Sequence, residues 1–432
     1  MSPANPHSQQ PSSPAPVQLP SCLPLRAGAP RKINRLTPPT ITKPGHLSRE
    51  PTDTKSSILI LPLRHQIRKI LQGLGCTQDT QMLHQIKILD RFHKYHHLNR
   101  SHQRLFSTNK IHKINANCQF ISAASFLGKP TSQSPQDLKS ISTHYQKWVL
   151  DQKTIWSQTY LSRHPNLPSS NFHQLTNSGH DWWFINQSKQ TGVLSLGVAD
   201  GVGGWEEQGL DPAQVSQSLM FYSNHSLNSS PKNPSQVLST AYQKILDDDL
   251  VGGGATTALL ARLDPHHLTL EWANLGDSSL MIFKNQSKNL ELLSNSQTHY
   301  FNCPYQLTKF PKGSSSKGFV TDTPEMAHCG SVPIHNGDLI LLFTDGLGDN
   351  LFPEDIRIAT RHVLSKGLAD SDFIQELAHT LCFYARVVSF QSKRVTPFEV
   401  EARKHNIHDM TGGKVDDVTL VASLVRLPEQ SN

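Results

Sequence analysis

The chain of 432 residues carries 41 Lys and Arg against 34 Asp and Glu, a formal net charge of +7, with 36% hydrophobic and 17% charged residues, enough for one large domain plus additional sequence. Its six cysteines, Cys22, Cys76, Cys118, Cys303, Cys329 and Cys382, show no C-x-x-C spacing, which argues against a zinc site and against a disulfide framework. The best apolar run, SSILILPL at 56–63, is far shorter than the roughly 20 residues of a membrane helix and is interrupted by Pro62.

Residues 1–81 are rich in Pro, Ser, Thr and Gln, hold few aromatics and show no sustained period, so they are expected to be disordered. Between Met82 and Lys110 the basic residues Lys87, Arg91, Lys94, Arg100, Arg104 and Lys110 face one acid, Asp90, and Leu83, Ile86, Leu89 and Phe92 recur at helical spacing. That is the composition of a targeting segment, and RLFST at 104–108 resembles the sites at which many mitochondrial presequences end. A surface helix or a basic linker is the alternative. Because a presequence opens a chain, Met82 is expected to be the initiator and residues 1–81 a spurious or alternative extension. Residues 111–174 read as a linker, with a helix in HYQKWVLDQKTIWSQTYL at 144–161, and the ordered domain is expected over 175–428.

From there short β-like runs are divided by Gly, Asn and Asp: DWWFI, GVLSLGVAD, ATTALLARL, LTLEWANLGD, SSLMIF, DLILLFTDG and DDVTLVASLV. Helix-like stretches lie between them, notably DPAQVSQSLMFYSNHSL, PSQVLSTAYQKILDDDL and DSDFIQELAHTLCFYARVV. Segregated strands and helices predict an α+β fold. Gly252-Gly253-Gly254 lacks the GK[ST] of a phosphate-binding loop and reads as a turn into a buried strand. Residues 286–332 read as an excursion between strands, where His299, Tyr300, Phe301 and Asn302 are candidates for substrate contact or for packing.

Aspartates recur at strand ends beside small residues: Asp181 after Gly179-His180, Asp200 before Gly201, Asp277 after Gly276, Asp345 before Gly346, and Asp416-Asp417 after Gly412-Gly413-Lys414-Val415. Each alone reads as a turn residue or helix cap. Together they are what a hard divalent cation requires, since Mg2+ and Mn2+ take oxygen ligands and several negative charges cannot share a site uncompensated. No His or Cys cluster accompanies them.

GVADGVGGW, GATTALLARL, ANLGDSSLMIF, LILLFTDGLGDNL and GGKVDDVTLVASL, in this order, resemble the successive motifs of the metal-dependent Ser/Thr protein phosphatases of type 2C over about residues 175–426. DGVGGW, QTHYFNCPYQLTKFP and GGKVDDVTLV are similar to its mitochondrial homologue 7 branch. The resemblance implies a central antiparallel β-sandwich flanked by helices on both faces. It implies two Mn2+ or Mg2+ ions bridged by Asp200, with the Gly201 carbonyl, Asp345 and Asp416 completing the centre. A third, weaker ion would use Asp277 and Asp349, while Asp181 would contact water on the metals. Such a centre activates water for in-line attack on phosphoSer or phosphoThr. A phosphoaspartate mechanism needs a DxDG strand end, and the position two before Asp345 is Phe343.

Two residues depart from the family pattern. His180 stands where many members carry an acid that helps bind the second metal, and imidazole suits Mg2+ poorly. Val202 replaces a histidine that could donate a proton. The alternative function is therefore a pseudophosphatase binding module with a weakened second site. Nucleic-acid binding is not expected, because the basic N-terminal part lacks aromatic interleaving and any reader motif. The expected protein is a monomer in the mitochondrial matrix acting on phosphorylated proteins.

Overall fold

A computed structural model describes residues 118–130, 144–163, 177–227, 233–285, 289–314 and 316–427. The expectations for 1–81 and 82–110 lie outside the described residues. Among those described, no helix is long and apolar enough to cross a membrane.

Two five-stranded sheets carry the fold. The first runs β1 (Gln119–Leu127), β14 (Val418–Arg426), β13 (Leu339–Phe343), β7 (Ser279–Lys284), β8 (Asn289–Leu293). The second runs β12 (His328–Pro333), β6 (Thr269–Leu275), β5 (Ala258–Asp264), β3 (Leu194–Ala199), β2 (Trp182–Gln187). All pairings within both sheets are antiparallel. Successive side chains of a strand point to opposite faces, so a strand covered on both faces is apolar throughout. In β13, Ile340 and Leu342 enter the core between the sheets, with Val198, Leu259, Ile282 and Val421, while Leu339, Leu341 and Phe343 face outward.

Helices cover both outer faces. Leu339, Leu341 and Phe343 pack with Ile356, Leu377 and Leu381 of α5 (Pro353–Leu364) and α6 (Asp370–Ser389). On the other side, Trp182, Phe184 and Leu260 pack with Leu219, Leu238 and Ile245 of α2 (Ala213–Ser226) and α3 (Pro234–Asp247). The result is the expected α+β sandwich with helices on both faces, in four layers. The start of α3 is set by its sequence: Pro234 opens the helix, and the Asn233 side chain accepts from the Gln236 N–H at 2.9 Å.

The domain begins earlier than the sequence indicated. The stretch 111–174, read as a linker, contains β1, which pairs along its whole length with β14, from Gln119 opposite Arg426 to Leu127 opposite Val418. It also contains α1 (His144–Arg163), whose Tyr145 and Val149 join the core under α2 while Trp156 joins the inner core and donates its Nε1–H to the Ala124 carbonyl at 3.1 Å. QFISAASFL mixes Ser and Ala with its aromatics and is bounded by no turn dipeptide at its start, so local propensity is weak. Its burial is supplied by a strand some three hundred positions away.

One end of the sandwich collects every motif. Trp182 lies opposite Ala199, Ala258 opposite Leu275, Ser279 opposite Phe343, Phe343 opposite Leu420 and Leu127 opposite Val418. The beginnings of β2, β5, β7 and β14 therefore meet the ends of β1, β3, β6 and β13.

Candidate metal centre

Asp200 follows β3 directly. Its N–H donates to the Thr257 hydroxyl at 3.1 Å, and its carbonyl accepts from the Thr257 N–H and the Thr256 hydroxyl, both at 2.9 Å. The two threonines, fully buried at the turn from β4 (Gly254–Thr256) into β5, thus hold the aspartate's backbone. Asp277 sits in the link from β6 to β7, which carries the chain from one sheet to the other. Asp345 ends the approach from β13 and opens the short helix α4 (Asp345–Gly348). One carboxylate oxygen from each of Asp200, Asp277 and Asp345 lies within 4.8 Å of the other two.

The glycines beside two of these aspartates serve close approach. Neither Gly201 nor Gly346 is among the glycines with positive φ. A Cβ at Gly201 would stand 2.7 Å from the Pro212 carbonyl oxygen and 2.8 Å from that of His180; one at Gly346 would stand 1.8 Å from the Asp417 carbonyl oxygen. The Asp-Gly pairs are thus packed strand ends rather than left-handed turns.

Charge balance is unfavourable without cations. Burial, then the Asp345, Asp181, Asp416 and Asp277 charges, pushes the Asp200 carboxyl well above its ordinary value. Burial and Asp345 do the same to Asp277, and burial with Asp417 to Asp181. Burial raises Asp345 to about 6, with Asp416 and Asp349 adding and Lys414 opposing. At Asp416, Lys414 and Lys129 outweigh burial and hold the carboxyl below the usual range. Three buried oxygens, the Oδ1 atoms of Asp181, Asp277 and Asp345, accept no hydrogen bond among the described residues. Buried lone pairs left in this state are costly unless a cation takes them, so the donor set fits a hard divalent ion.

Lys414 is the residue that the sequence reading passed over. Its Nζ contacts Asp345 and lies 2.9 Å from Asp349 Oδ2 and 3.2 Å from Asp416 Oδ2. Those three acids hold its ammonium well above the ordinary lysine value despite burial, which acts the other way. Asp417, the second of the pair, is structural: its Oδ1 accepts from the Lys129 N–H at 2.6 Å and its Oδ2 from the His180 N–H at 2.9 Å. Lys129, just beyond β1, brings its own ammonium within 3.6 Å of Asp416. A lone base inside GGKVDD was the available signal for Lys414; Lys129 had none, because β1 itself was not recognised.

Asp277, assigned to a third ion, joins Asp200 and Asp345 in the tight triad, because the β6–β7 link crosses between the sheets at the same end. Asp416 and Asp349 connect to Asp345 through Lys414. Asp181, fully buried, accepts from the Thr344 hydroxyl at 2.7 Å through Oδ2. His180 places Nε2 3.3 Å from Glu206 and its carbonyl accepts from the Gly201 N–H at 3.2 Å. Of the excursion residues, His299 pairs with Asp322 at 3.0 Å and stacks on Tyr305, Phe301 lies against Phe398 of α7 (Pro397–Lys404), and Tyr300 and Asn302 are exposed. Gly253 and Gly254 have positive φ at the entry to β4, a turn into a buried strand.

An antiparallel sandwich that brings carboxylates from both sheets to one end is the arrangement that the type 2C resemblance implies. No protein-family model matches the chain. It is 37% identical over 256 residues to the protein phosphatase PTC7 homolog fig of Drosophila ananassae, covering 58% of this chain and 74% of that protein. With the Drosophila melanogaster protein of the same name the identity is 35% over 272 residues, covering 62% and 83%. The X-ray structure of the photosystem II phosphatase PBCP is 28% identical, covers 57% of this chain and 91% of its own, and superposes with a TM-score of 0.47. The chain belongs to the PTC7 homologues of the type 2C protein phosphatase family. It is a metal-dependent protein Ser/Thr phosphatase, a hydrolase acting on phosphoproteins, and the pseudophosphatase reading is not favoured.

Proposed function

We propose that this phosphatase works with two Mn2+ or Mg2+ ions held by Asp200, Asp277 and Asp345, with Asp416 and the Gly201 carbonyl as further oxygen ligands. The observation that carries this reading is the triad of carboxylates within 4.8 Å, two of whose oxygens accept no hydrogen bond among the described residues. Bound there, divalent ions would make water acidic enough to ionise near neutral pH and would offset the charge of the phosphoryl group. The protein's own part is placement. Thr256 and Thr257 fix the backbone of Asp200, and Thr344 orients Asp181. Lys129, its side chain 36% exposed, places a cation 3.6 Å from Asp416 at the acidic end. Val202 holds no proton to give, so the leaving group draws its proton from solvent or another acid.

Turnover of a phosphoserine or phosphothreonine peptide is expected with Mn2+ or Mg2+, to vanish with EDTA, to return on adding back either ion, and to resist okadaic-acid-type inhibitors. Full turnover in EDTA after exhaustive dialysis rejects the reading.

We further propose a mitochondrial location, with matrix phosphoproteins as substrates. The support is compositional: the basic, acid-poor segment 82–110 and its RLFST site. N-terminal sequencing of the endogenous protein from fractionated cells is expected to find a start near residue 105–110 in the mitochondrial fraction. Retention of residues 1–81 in that fraction counts against it.

A further inference from the structure

We propose that the Lys414 ammonium is a built-in cation standing in for a third divalent ion, so that this chain binds two ions where the type 2C resemblance implies three. The inference rests on the reading of the Asp200, Asp277 and Asp345 triad as the ion-holding site. An ammonium has three N–H donors and no acceptor. Three carboxylate oxygens meet Lys414 Nζ: Asp345 Oδ2 in contact, Asp349 Oδ2 at 2.9 Å and Asp416 Oδ2 at 3.2 Å. One donor is available for each oxygen. The Phe398 ring lies 5.6 Å from the same nitrogen.

The lysine is also anchored at its backbone. Its N–H donates to Asn350 Oδ1 at 3.0 Å and its carbonyl accepts from Asn350 Nδ2 at 2.9 Å, while that same Nδ2 donates to the Gly346 carbonyl at 2.8 Å. Asn350 is fully buried. The fully buried amide thus ties the segment carrying the ammonium to the segment carrying Asp345 and Asp349, and holds the charge in register with its acids. Asp349, which the resemblance gives to a third ion, is already occupied by a tethered charge that no chelator can remove. Lys414 touches Asp345 as well, but an ion on the triad also has Asp200 and Asp277, which form no ion pair with Lys414 among the described residues, whereas an ion on Asp349 would share its carboxylate with an ammonium at hydrogen-bond distance, where repulsion between the cations opposes entry.

The test is a count of bound Mn2+, by titration followed through the free-ion EPR signal and by calorimetry, on the full chain. The expected results are two ions for the unsubstituted protein, three for Lys414→Met, two for Lys414→Arg, and two again for Lys414→Met combined with Asp349→Asn. Melting curves in Mn2+ verify folding, and Lys414→Gln serves should the methionine variant fail to fold. Three ions on the unsubstituted protein, or an unchanged count in both neutral variants, overturns the inference while leaving the triad in place. No Mn2+ bound by the unsubstituted protein overturns both; loss of all ions in Asp200→Asn marks the triad as sound whatever Lys414 does.

Discussion

Asp200→Asn is expected to lower phosphopeptide turnover by about 10²- to 10³-fold, the usual loss when one fixed electrostatic group is removed from a transition-state site, and to raise the melting temperature of the metal-free protein. Most catalytic substitutions leave stability alone or reduce it. Here the aspartate stands among like charges, with Asp345, Asp181, Asp416 and Asp277 all raising its pKa beyond what burial does. Amide for carboxylate removes that repulsion at nearly constant volume. The backbone bonds from Thr256 and Thr257 are untouched.

The same crowding fixes a pH dependence. A carboxyl whose folded pKa is raised binds a proton in the folded state that the unfolded chain has already lost, so stability falls as pH rises from the ordinary carboxylate range near 4. The fall continues through the raised values, of which that of Asp345 is about 6. Without metal, the melting temperature is therefore expected to decline between pH 5 and 7.5, and Asp200→Asn is expected to flatten the decline. Saturating Mn2+ raises the curve by mass action on the folded state. A variant that melts lower than the unsubstituted protein in EDTA at pH 7.5, or that keeps full turnover, contradicts this account.

Gly346→Ala is expected to cost about 1–3 kcal/mol or more, as overpacking does in well-packed sites, and to abolish most activity. The added methyl would stand 1.8 Å from the Asp417 carbonyl oxygen, 2.9 Å from its carbonyl carbon and 3.2 Å from Val418 Cγ2, so the entry to β14 must move. Movement there displaces Asp416 and breaks the register in which Asp417 receives the N–H groups of Lys129 and His180. Gly203→Ala is the control, since nothing lies within 4 Å of its Cβ and its φ is not positive. Its effect is expected within about 0.5 kcal/mol. Urea unfolding and peptide turnover on the two variants separate them.

Much of this was legible because sandwich strands announce themselves locally. LILLF and VTLVASLV are apolar on both faces, and Asp345 and Asp200 mark where such runs stop. What escaped was whatever depends on distant partners. QFISAASFL becomes a strand only beside β14, and Asp277 joins Asp200 only because a link crosses between sheets. Lys414 and Asp417 look like bystanders of a metal motif until distances show one compensating three acids and the other holding two backbone amides. Conversely, the Asp-Gly pairs were obvious, yet their glycines answer to a crowded neighbouring carbonyl rather than to a turn.

The position of β14 between β1 and β13 has a kinetic consequence. Lys129 waits for Asp417 across 288 residues, a loop whose closure entropy must be met before the β1 edge of the first sheet is complete. Topologies so rich in remote pairings fold slowly. During synthesis the first sheet lacks its second strand until its other four strands have left the ribosome, and Asp416 emerges immediately before that strand. The nascent enzyme therefore holds an unclosed hydrophobic seam and an unfinished acidic end until β14 emerges, and both are completed by that one event.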